Sequence, residues 1–269
     1  MDGLKAFCEA LDRSPPTGGL WTGKKAALWI TQYTGKKTSE VTGWRYLTRV
    51  GYSRQAPRPA HPEAASPEEQ EAYKKKVLEL TLALSFEHPE KKVRLCFQDE
   101  ARFGLKPTYR KRWAPKGQRP SASSRTRYEW TYLYGVVHPA TGETFYLILP
   151  GVSVEMMNLL LLEYAASLPE DVMVVLVVDG AGWHTSPKLK VPPNIELVTL
   201  PLYSPELNPA EQLWHLQREA TANVKFKDLE ELQDKLCDRC NELTANREMV
   251  GSATNYKGYR VPPMQVIQA

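Results

Sequence analysis

The sequence predicts a small all-α domain followed by an α/β domain with a mixed central sheet flanked by helices. Three observations support this. Short helical segments separated by glycines fill the N-terminal part, a Pro- and Ala-rich stretch follows at residues 54–68, and apolar strand-like runs alternate with helices from residue 92 onward. With 269 residues, 42% hydrophobic and 25% charged, the chain can bury a core. We expect domains at residues 1–53 and 69–269, joined by a linker at residues 54–68.

Three short helices are predicted in the N-terminal domain, from Leu4 to Leu11, from Lys24 to about Tyr33, and up to Val50. Thr22 can cap the second helix and Gly35 can end it, while Thr38 or Ser39 can cap the third. Two short helices joined by a tight turn that contains glycine form a helix-turn-helix. The first domain is therefore predicted to be of the helix-turn-helix or winged-helix-like type.

The third helix is predicted to have an inner and an outer face. Val41, Trp44 and Leu47 are expected to face the domain interior. Thr42, Arg45, Tyr46 and Arg49 then form an outer face that could enter a major groove. Any small helical hairpin also has a polar outside, but residues 17–58 hold eight Lys or Arg and one acid, which favours DNA. The predicted DNA contacts of this domain are Lys36, Lys37, Thr42, Arg45, Arg49, Arg54 and Arg58.

The second domain begins with a predicted helix over residues 69–84 and continues with strands. The runs VRLCFQD, WTYLYGVVHP and ETFYLILPG are predicted to form an antiparallel set, with a turn at residues 141–142. A helix at residues 155–168, a fully apolar strand at 172–178 and a strand at 195–200 follow. Antiparallel hairpins first and crossovers afterwards make an RNase H-like topology the leading candidate.

Three carboxylates are candidates for a metal site. Asp99 closes the run VRLCFQD, Asp179 closes VMVVLVVD, and Glu211 stands at a predicted helix start in LPLYSPELNPAEQLW. If the two strands are neighbours these acids can converge, as in a two-metal phosphoryl-transfer site. Alternatively, Asp99 is a polar residue at a strand exit and Asp179 is part of a turn. Glu211 could be the N3 residue of a capping box in which Asn208 is the N-cap and Pro209 is N1.

A second basic stretch follows the first candidate aspartate. Residues 102–127 hold nine Lys or Arg and no acid. This composition suits a polyanionic substrate, although a solvated surface would have the same composition. Arg112 and Lys116 are the predicted DNA contacts in this stretch.

Other features exclude a membrane or disulfide-stabilised protein. No apolar run approaches the roughly 18 to 20 residues of a membrane span, and the N-terminus has no signal-peptide layout, so we expect a cytoplasmic protein. Cys8, Cys96, Cys237 and Cys240 are few for this length and predict free thiols, with Cys240 in the buried stripe of a helix.

Four motifs occur in the order FQDEARFG, RKRWAPKGQRP, VVDGAGWHTS and LPLYSPELNPAEQLW. This set resembles the DDE transposases of the mariner superfamily, in particular the bacterial insertion sequences of the IS-six-thirty type. Residues 18–59 resemble the second helix-turn-helix of that family, so the resemblance covers nearly the whole chain. Relatives usually carry another helix-turn-helix ahead of this one, whereas 20 residues precede Trp21 here. The gap of 31 residues between Asp179 and Glu211 is shorter than in the mariner branch.

The resemblance implies that Asp99, Asp179 and Glu211 are the catalytic, metal-binding residues. The implied cofactors are two Mg²⁺ or Mn²⁺ ions, with Asp99 at both ions, Asp179 at one and Glu211 at the other. His184 is expected either to contact the scissile phosphate or to bond to backbone. The implied reaction is DNA cleavage at element ends and strand transfer by the freed 3′-hydroxyl, without a covalent enzyme intermediate.

The implied partner is double-stranded DNA, as terminal inverted repeats and as target DNA at TA dinucleotides. Because two ends must be brought together, a homodimer is expected on DNA, in the bacterial cytoplasm at the nucleoid. Two other functions stay open. One is a transposase-derived DNA-binding protein without catalysis, and the other is a plain RNase H-like endonuclease.

Overall fold

The computed structural model describes residues 2–55, 62–118, 120–121, 128–255 and 259. It contains two compact units, residues 1–59 and 60–269. Residues 56–61 of the predicted linker, and with them Arg58, lie outside the described residues, as do residues 122–127 of the second basic stretch.

The described part of the first unit consists of three helices, α1 (Asp2–Leu11), α2 (Gly23–Thr34) and α3 (Glu40–Arg49). The predicted caps are confirmed. Thr22 Oγ1 accepts a hydrogen bond from the backbone N–H of Lys25 at 3.3 Å, and Ser39 Oγ accepts from that of Thr42 at 3.2 Å. Gly35 ends α2 with a φ of 71°, a left-handed conformation that glycine adopts readily. The helix-turn-helix prediction is confirmed.

The predicted orientation of α3 is wrong. Val41 and Trp44 are exposed, at 59% and 54%, and the helix instead buries Gly43. A Cβ atom on Gly43 would lie 2.1 Å from the carbonyl oxygen of Gly23 and 2.6 Å from the amide nitrogen of Ala27, both in α2. Because Gly43 has no side chain, the backbones of α2 and α3 can touch, and this contact sets the rotation of α3.

The small core of the first unit forms around Phe7. The ring of Tyr46 lies edge-on to Phe7, with 6.3 Å between the centroids, so Tyr46 faces inward and not outward as predicted. Leu47 packs against the same core, as predicted. The exposed face of α3 carries Val41, Trp44, Arg45, Thr48 and Arg49.

The second unit is built on a five-stranded mixed sheet. Its elements are α4 (Pro67–Glu87), β1 (Lys92–Gly104), β2 (Trp130–His138), β3 (Glu143–Leu149), α5 (Val154–Ser167), β4 (Val172–Val178), β5 (Ile195–Thr199), α6 (Glu211–Thr221), α7 (Leu229–Ala245) and α8 (Arg247–Thr254). The strand order is β3-β2-β1-β4-β5. The first three strands are antiparallel neighbours, whereas β4 runs parallel to β1 and β5 parallel to β4. The predicted RNase H-like topology is confirmed.

Helices cover both faces of this sheet. Side chains alternate along a strand, so Cys96 of β1 packs in the core beneath α5, while Phe97 packs in the core beneath α4, α6 and α7. In β4, Leu176 and Val177 divide between the same two cores. Every position of β4 is therefore covered by protein, which explains its continuous apolar run.

The N-terminus of α4 lies inside the stretch predicted as a linker. Ser66 and Glu69 form a capping box, and the helix begins at Pro67. In α7, Cys240 is buried as predicted, and all four cysteines are free. Within the described ranges, no helix is long and apolar enough to cross a membrane.

Candidate active site

The pairing of β1 with β4 brings two candidate aspartates to one place in the sheet. The last paired residues of these strands are Phe97 and Val177, and Asp99 and Asp179 each follow two positions later. Asp179 directly follows β4, as predicted. The prediction that Asp99 closes its strand is wrong, because β1 continues to Gly104 with β2 as its partner. Asp99 lies instead where the pairing of β1 with β4 stops.

Glu211 is the first residue of α6, but the capping box predicted around it is absent. The backbone N–H of Asn208 donates to the carbonyl oxygen of Pro205 at 2.9 Å and not to the Glu211 carboxylate. The side chain of Asn208 secures the helix start differently. Its Nδ2 donates to the carbonyl oxygen of Gln98 in β1 at 2.9 Å, and its Oδ1 accepts from the N–H of Ala210 at 3.1 Å. The start of α6 is thus tied to β1 beside the first candidate aspartate.

Trp214, one turn beyond Glu211, joins the same two elements. Its indole N–H donates to Asp99 Oδ2 at 2.6 Å. The buried indole packs against Gly135, the residue of β2 paired with Asp99, and a Cβ atom on Gly135 would lie 3.0 Å from Trp214 Cη2. Glycine at this position therefore leaves room for the indole that holds Asp99.

A buried pair, Glu100 and His184, holds the Asp179 carboxylate. His184 Nδ1 lies 2.6 Å from Asp179 Oδ1 and 3.3 Å from the Asp179 carbonyl oxygen, while Nε2 lies 2.9 Å from Glu100 Oε1. Trp183 Nε1 donates to the same Glu100 oxygen at 2.9 Å, and the N–H of Ala181 donates to Asp179 Oδ1 at 3.0 Å. The His184 side chain is 0% exposed. Both of its nitrogens face carboxylates, so in this arrangement neither is open to a DNA phosphate.

His184 carries a positive charge in this arrangement. Burial by itself would lower its pKa, but the hydrogen bonds with Asp179 and Glu100 outweigh burial and raise the pKa of His184 to about 9. At neutral pH both ring nitrogens therefore donate, one to each carboxylate.

The three candidate acids influence one another. Burial raises the pKa of Asp99 to about 8; the charge of Glu211 adds to this increase, and the indole N–H of Trp214 opposes it. Burial also raises the pKa of Glu211, and the charge of Asp179 acts in the same direction. In contrast, the hydrogen bond from His184 holds the pKa of Asp179 below its usual value. Glu211 is therefore close enough to both aspartates for their charges to interact.

The chemistry of this donor set fits a hard divalent cation. Asp99, Asp179 and Glu211 offer carboxylate oxygens, the ligands that Mg²⁺ and Mn²⁺ prefer. Burial is the largest cause of the raised pKa values of Asp99 and Glu211, and the charge of a neighbouring carboxylate adds to each, although Arg218 and His215 act against it at Glu211. Across the residues the structure describes, no three His, Cys, Asp or Glu side chains are grouped closely enough to hold an ion as they stand. A bound ion would have to draw the carboxylates together.

The predicted DNA contacts occur in both units. In the first unit, Lys36, Lys37, Arg45, Arg49 and Arg54 are exposed. Thr42 is half-buried, and its hydroxyl lies 3.0 Å from Ser39 Oγ at the start of α3. In the second unit, Arg112 and Lys116 are exposed in the connection between β1 and β2.

Four residues of the site were missed by sequence reasoning: Glu100, Gly135, Trp183 and Trp214. The tryptophans did carry a signal, because Trp214 follows Glu211 at helical i+3 spacing and Trp183 directly precedes His184. Gly135 carried none, since its importance depends on a helix that follows it by more than 70 residues in the chain.

The fold defines a protein of the RNase H-like class that also carries a helix-turn-helix. A family model described as DDE superfamily endonuclease matches residues 94–233, and one described as winged helix-turn helix matches residues 17–77. The chain belongs to the DDE superfamily of endonucleases. The predicted resemblance to DDE transposases of the mariner superfamily is confirmed.

Two relatives and two solved structures illustrate the similarity. The uncharacterized protein y4pE/y4sA of Sinorhizobium fredii is 42% identical over 115 residues, which cover 42% of this chain and 85% of that protein. The insertion element IS630 uncharacterized 39 kDa protein of Shigella sonnei is 26% identical over 223 residues, which cover 80% of this chain but only 62% of that protein. This chain therefore spans less than two thirds of the Shigella relative.

The solved structures are those of the Mos1 transposase. The Mos1 mariner paired end complex with Mn has a TM-score of 0.55 at 18% identity and covers 95% of this chain and 79% of that chain. The Mos1 strand transfer complex has a TM-score of 0.51 at 19% identity, with coverages of 95% and 78%. At this level of identity the similarity shows a shared fold.

Proposed function

We propose that this protein is a transposase that cleaves DNA at the ends of an insertion element and joins the freed 3′-ends to target DNA. The observation that carries the proposal is that Asp99 and Asp179 stand at corresponding positions of two parallel neighbouring strands, while Glu211 is close enough for its charge to act on Asp99 and for that of Asp179 to act on it. A helix-turn-helix in the same chain would provide sequence-specific DNA binding in addition to the nuclease. The Mos1 complexes of the same fold are named for paired ends and strand transfer.

Asp99, Asp179 and Glu211 would hold the divalent cations, Mg²⁺ or Mn²⁺, two per site, with Asp99 at both. When bound, such ions neutralise phosphate charge and lower the pKa of the attacking water. The chain's own residues position the ligands. Both donors to Asp179 use Oδ1, which leaves Oδ2 available, and the indole N–H of Trp214 fixes the Asp99 carboxylate through Oδ2. His184 then acts on the site through Asp179 and not through the phosphate.

The DNA partners on this proposal are terminal inverted repeats and target sites, with TA as the expected target dinucleotide. The exposed face of α3, with Arg45 and Arg49, would read the element end. Two ends must be cut and joined together, so a homodimer is the expected assembly on DNA. The expected location is the bacterial cytoplasm.

The test compares wild type with Asp179→Asn, using element-end DNA and Mg²⁺. Asp171→Asn is the matched control, because Asp171 lies at the other end of β4, where it pairs with Lys92 at 2.7 Å. Wild type and Asp171→Asn should release cut ends and join them to a target plasmid, whereas Asp179→Asn should do neither. Cleavage without joining would indicate a plain endonuclease. Identical results for wild type and Asp179→Asn would contradict the proposed catalytic site.

A further inference from the structure

The connection between β1 and β2 exposes aromatic side chains among cations. The surface of Trp113 is 103% exposed and that of Tyr128 is 74% exposed. Tryptophan is usually well buried, so a fully exposed indole indicates an interaction surface. Lys106 Nζ lies 5.8 Å from the centre of the Tyr128 ring. Lys111 and Arg112, which precede Trp113 in the chain, are also exposed.

The segment of residues 106–113 in this connection is fixed beside α6. The side chain of Asn223, just past the end of α6, accepts from the backbone N–H of Arg110 at 3.1 Å and donates to the Arg110 carbonyl oxygen at 3.0 Å. The backbone N–H of Asn223 also donates to the Thr108 carbonyl oxygen at 3.0 Å. The Arg110 guanidinium reaches the carbonyl oxygen of His215 at 3.4 Å, one turn beyond Glu211. The segment therefore runs along the helix that carries a candidate metal ligand.

We propose that Trp113 and its neighbouring cations bind unpaired DNA bases beside the active site. An indole can stack on a base only when that base is not already stacked in a duplex, and such stacking contributes substantially to the binding of single strands. Lys111 and Arg112 would contact the flanking phosphates. Lys111, Arg112 and Lys116 are exposed around Trp113, so this described part of the connection is complementary to a polyanion. The identity of the polymer as DNA rests on the proposed function.

Fluorescence anisotropy with the full chain tests this in EDTA, where metal-dependent cleavage does not occur. The probes are a labelled 12-nucleotide single strand, the same strand with abasic sites, and the matching duplex. The variants are Trp113→Ala and the control Phe86→Ala, which removes another aromatic side chain that is 77% exposed, at the end of α4. Trp113→Ala should weaken binding of the intact single strand by about 5-fold to 150-fold and leave duplex binding within about twofold. Phe86→Ala should change neither.

The abasic probe separates stacking from charge. Wild type should bind it about as weakly as Trp113→Ala binds the intact strand, and Trp113→Ala should bind both single strands alike. Equal weakening of single strand and duplex by Trp113→Ala, or no weakening of either, would overturn the proposal. A change of oligomeric state in sedimentation, with unaltered DNA binding, would assign the surface to a second copy and overturn it too.

The outcome is independent of catalysis. If wild type fails to cleave element-end DNA but binds the intact single strand through Trp113, the proposed transposase activity is contradicted and the proposed binding surface is supported. If cleavage and joining occur while Trp113→Ala binds the single strand like wild type, the proposed function is supported and the proposed role of Trp113 is contradicted.

Discussion

Replacing Gly135 by alanine tests whether the contact between β2 and α6 fixes the acidic site. The added Cβ atom would lie 3.0 Å from Trp214 Cη2 and 3.1 Å from Leu213 Cδ1. The end of the Leu213 side chain can shift by a few tenths of an ångström, whereas the Trp214 indole is held at its other end by the 2.6 Å hydrogen bond to Asp99. The substitution must therefore strain β2 or displace the indole from Asp99.

Two opposing effects set the size of the change in stability. Alanine is favoured over glycine within a strand by about 0.5–1 kcal/mol. Overpacking a buried site costs about 1–3 kcal/mol. Because the indole cannot move freely, we expect overpacking to win, with a net loss of about 1–2 kcal/mol in the free energy of unfolding. For a unit that spans residues 60–269, this lowers the melting temperature by about 2–8 °C.

Differential scanning calorimetry of the full chain measures this loss in two backgrounds. Phenylalanine at position 214 lacks the Cη2 atom, so Gly135→Ala should no longer lower the melting temperature when it is combined with Trp214→Phe. The two substitutions should thus couple by about 1–2 kcal/mol. An equal loss in both backgrounds would show that the indole is not the source of the clash and would refute the reasoning.

Two further substitutions test other parts of the chain. Gly43→Ala would place a Cβ atom 2.1 Å from the Gly23 carbonyl oxygen, so it should separate α2 from α3 and abolish duplex binding in anisotropy measurements. The control Gly3→Ala, whose added Cβ atom has its closest contact at 3.7 Å, should bind duplex normally. Normal duplex binding by Gly43→Ala would contradict the contact between the helices. Burial, together with Arg94, lowers the pKa of His138 from 6.5 to about 4, so the folded state favours the neutral ring and loses stability as pH falls from about 6.5 to about 4. Urea unfolding at several pH values should show a smaller loss over this window for His138→Asn than for wild type; an unchanged loss would contradict the assignment.

Local patterns in the sequence predicted the elements well. The apolar run of β4, the caps of α2 and α3, and the stripe that buries Cys240 each depend on neighbours a few residues away, and all three are confirmed. The prediction of the buried face of α3 was wrong because hydrophobic periodicity gives glycine no weight, whereas Gly43 is the point where α3 contacts α2 most closely. The predicted end of β1 was wrong because a polar residue such as Asp99 after an apolar run resembles the end of a strand, and the sequence does not show that β2 pairs with β1 beyond it.

The candidate site shows the same division between local and distant information. The sequence predicted that Asp99 and Asp179 can converge if their strands are neighbours, and the parallel pairing of β1 with β4 meets that condition. The position of Glu211 could not be derived in this way. It depends on Asn208 reaching Gln98 and on Trp214 reaching Asp99, contacts that span 110 and 115 residues of the chain.

Hydrogen-bond donors beside the carboxylates explain how three acids can lie near one another in a folded chain. Carboxylates that repel each other favour unfolding unless donors or cations offset their charge. Here Trp214 donates to Asp99, and the protonated His184 donates to Asp179 while Glu100 holds its second nitrogen. Each donor fixes its carboxylate without replacing a metal ion, because it satisfies a single oxygen. The residues around the acids therefore keep the folded site stable while leaving carboxylate oxygens for the cations that the chemistry requires.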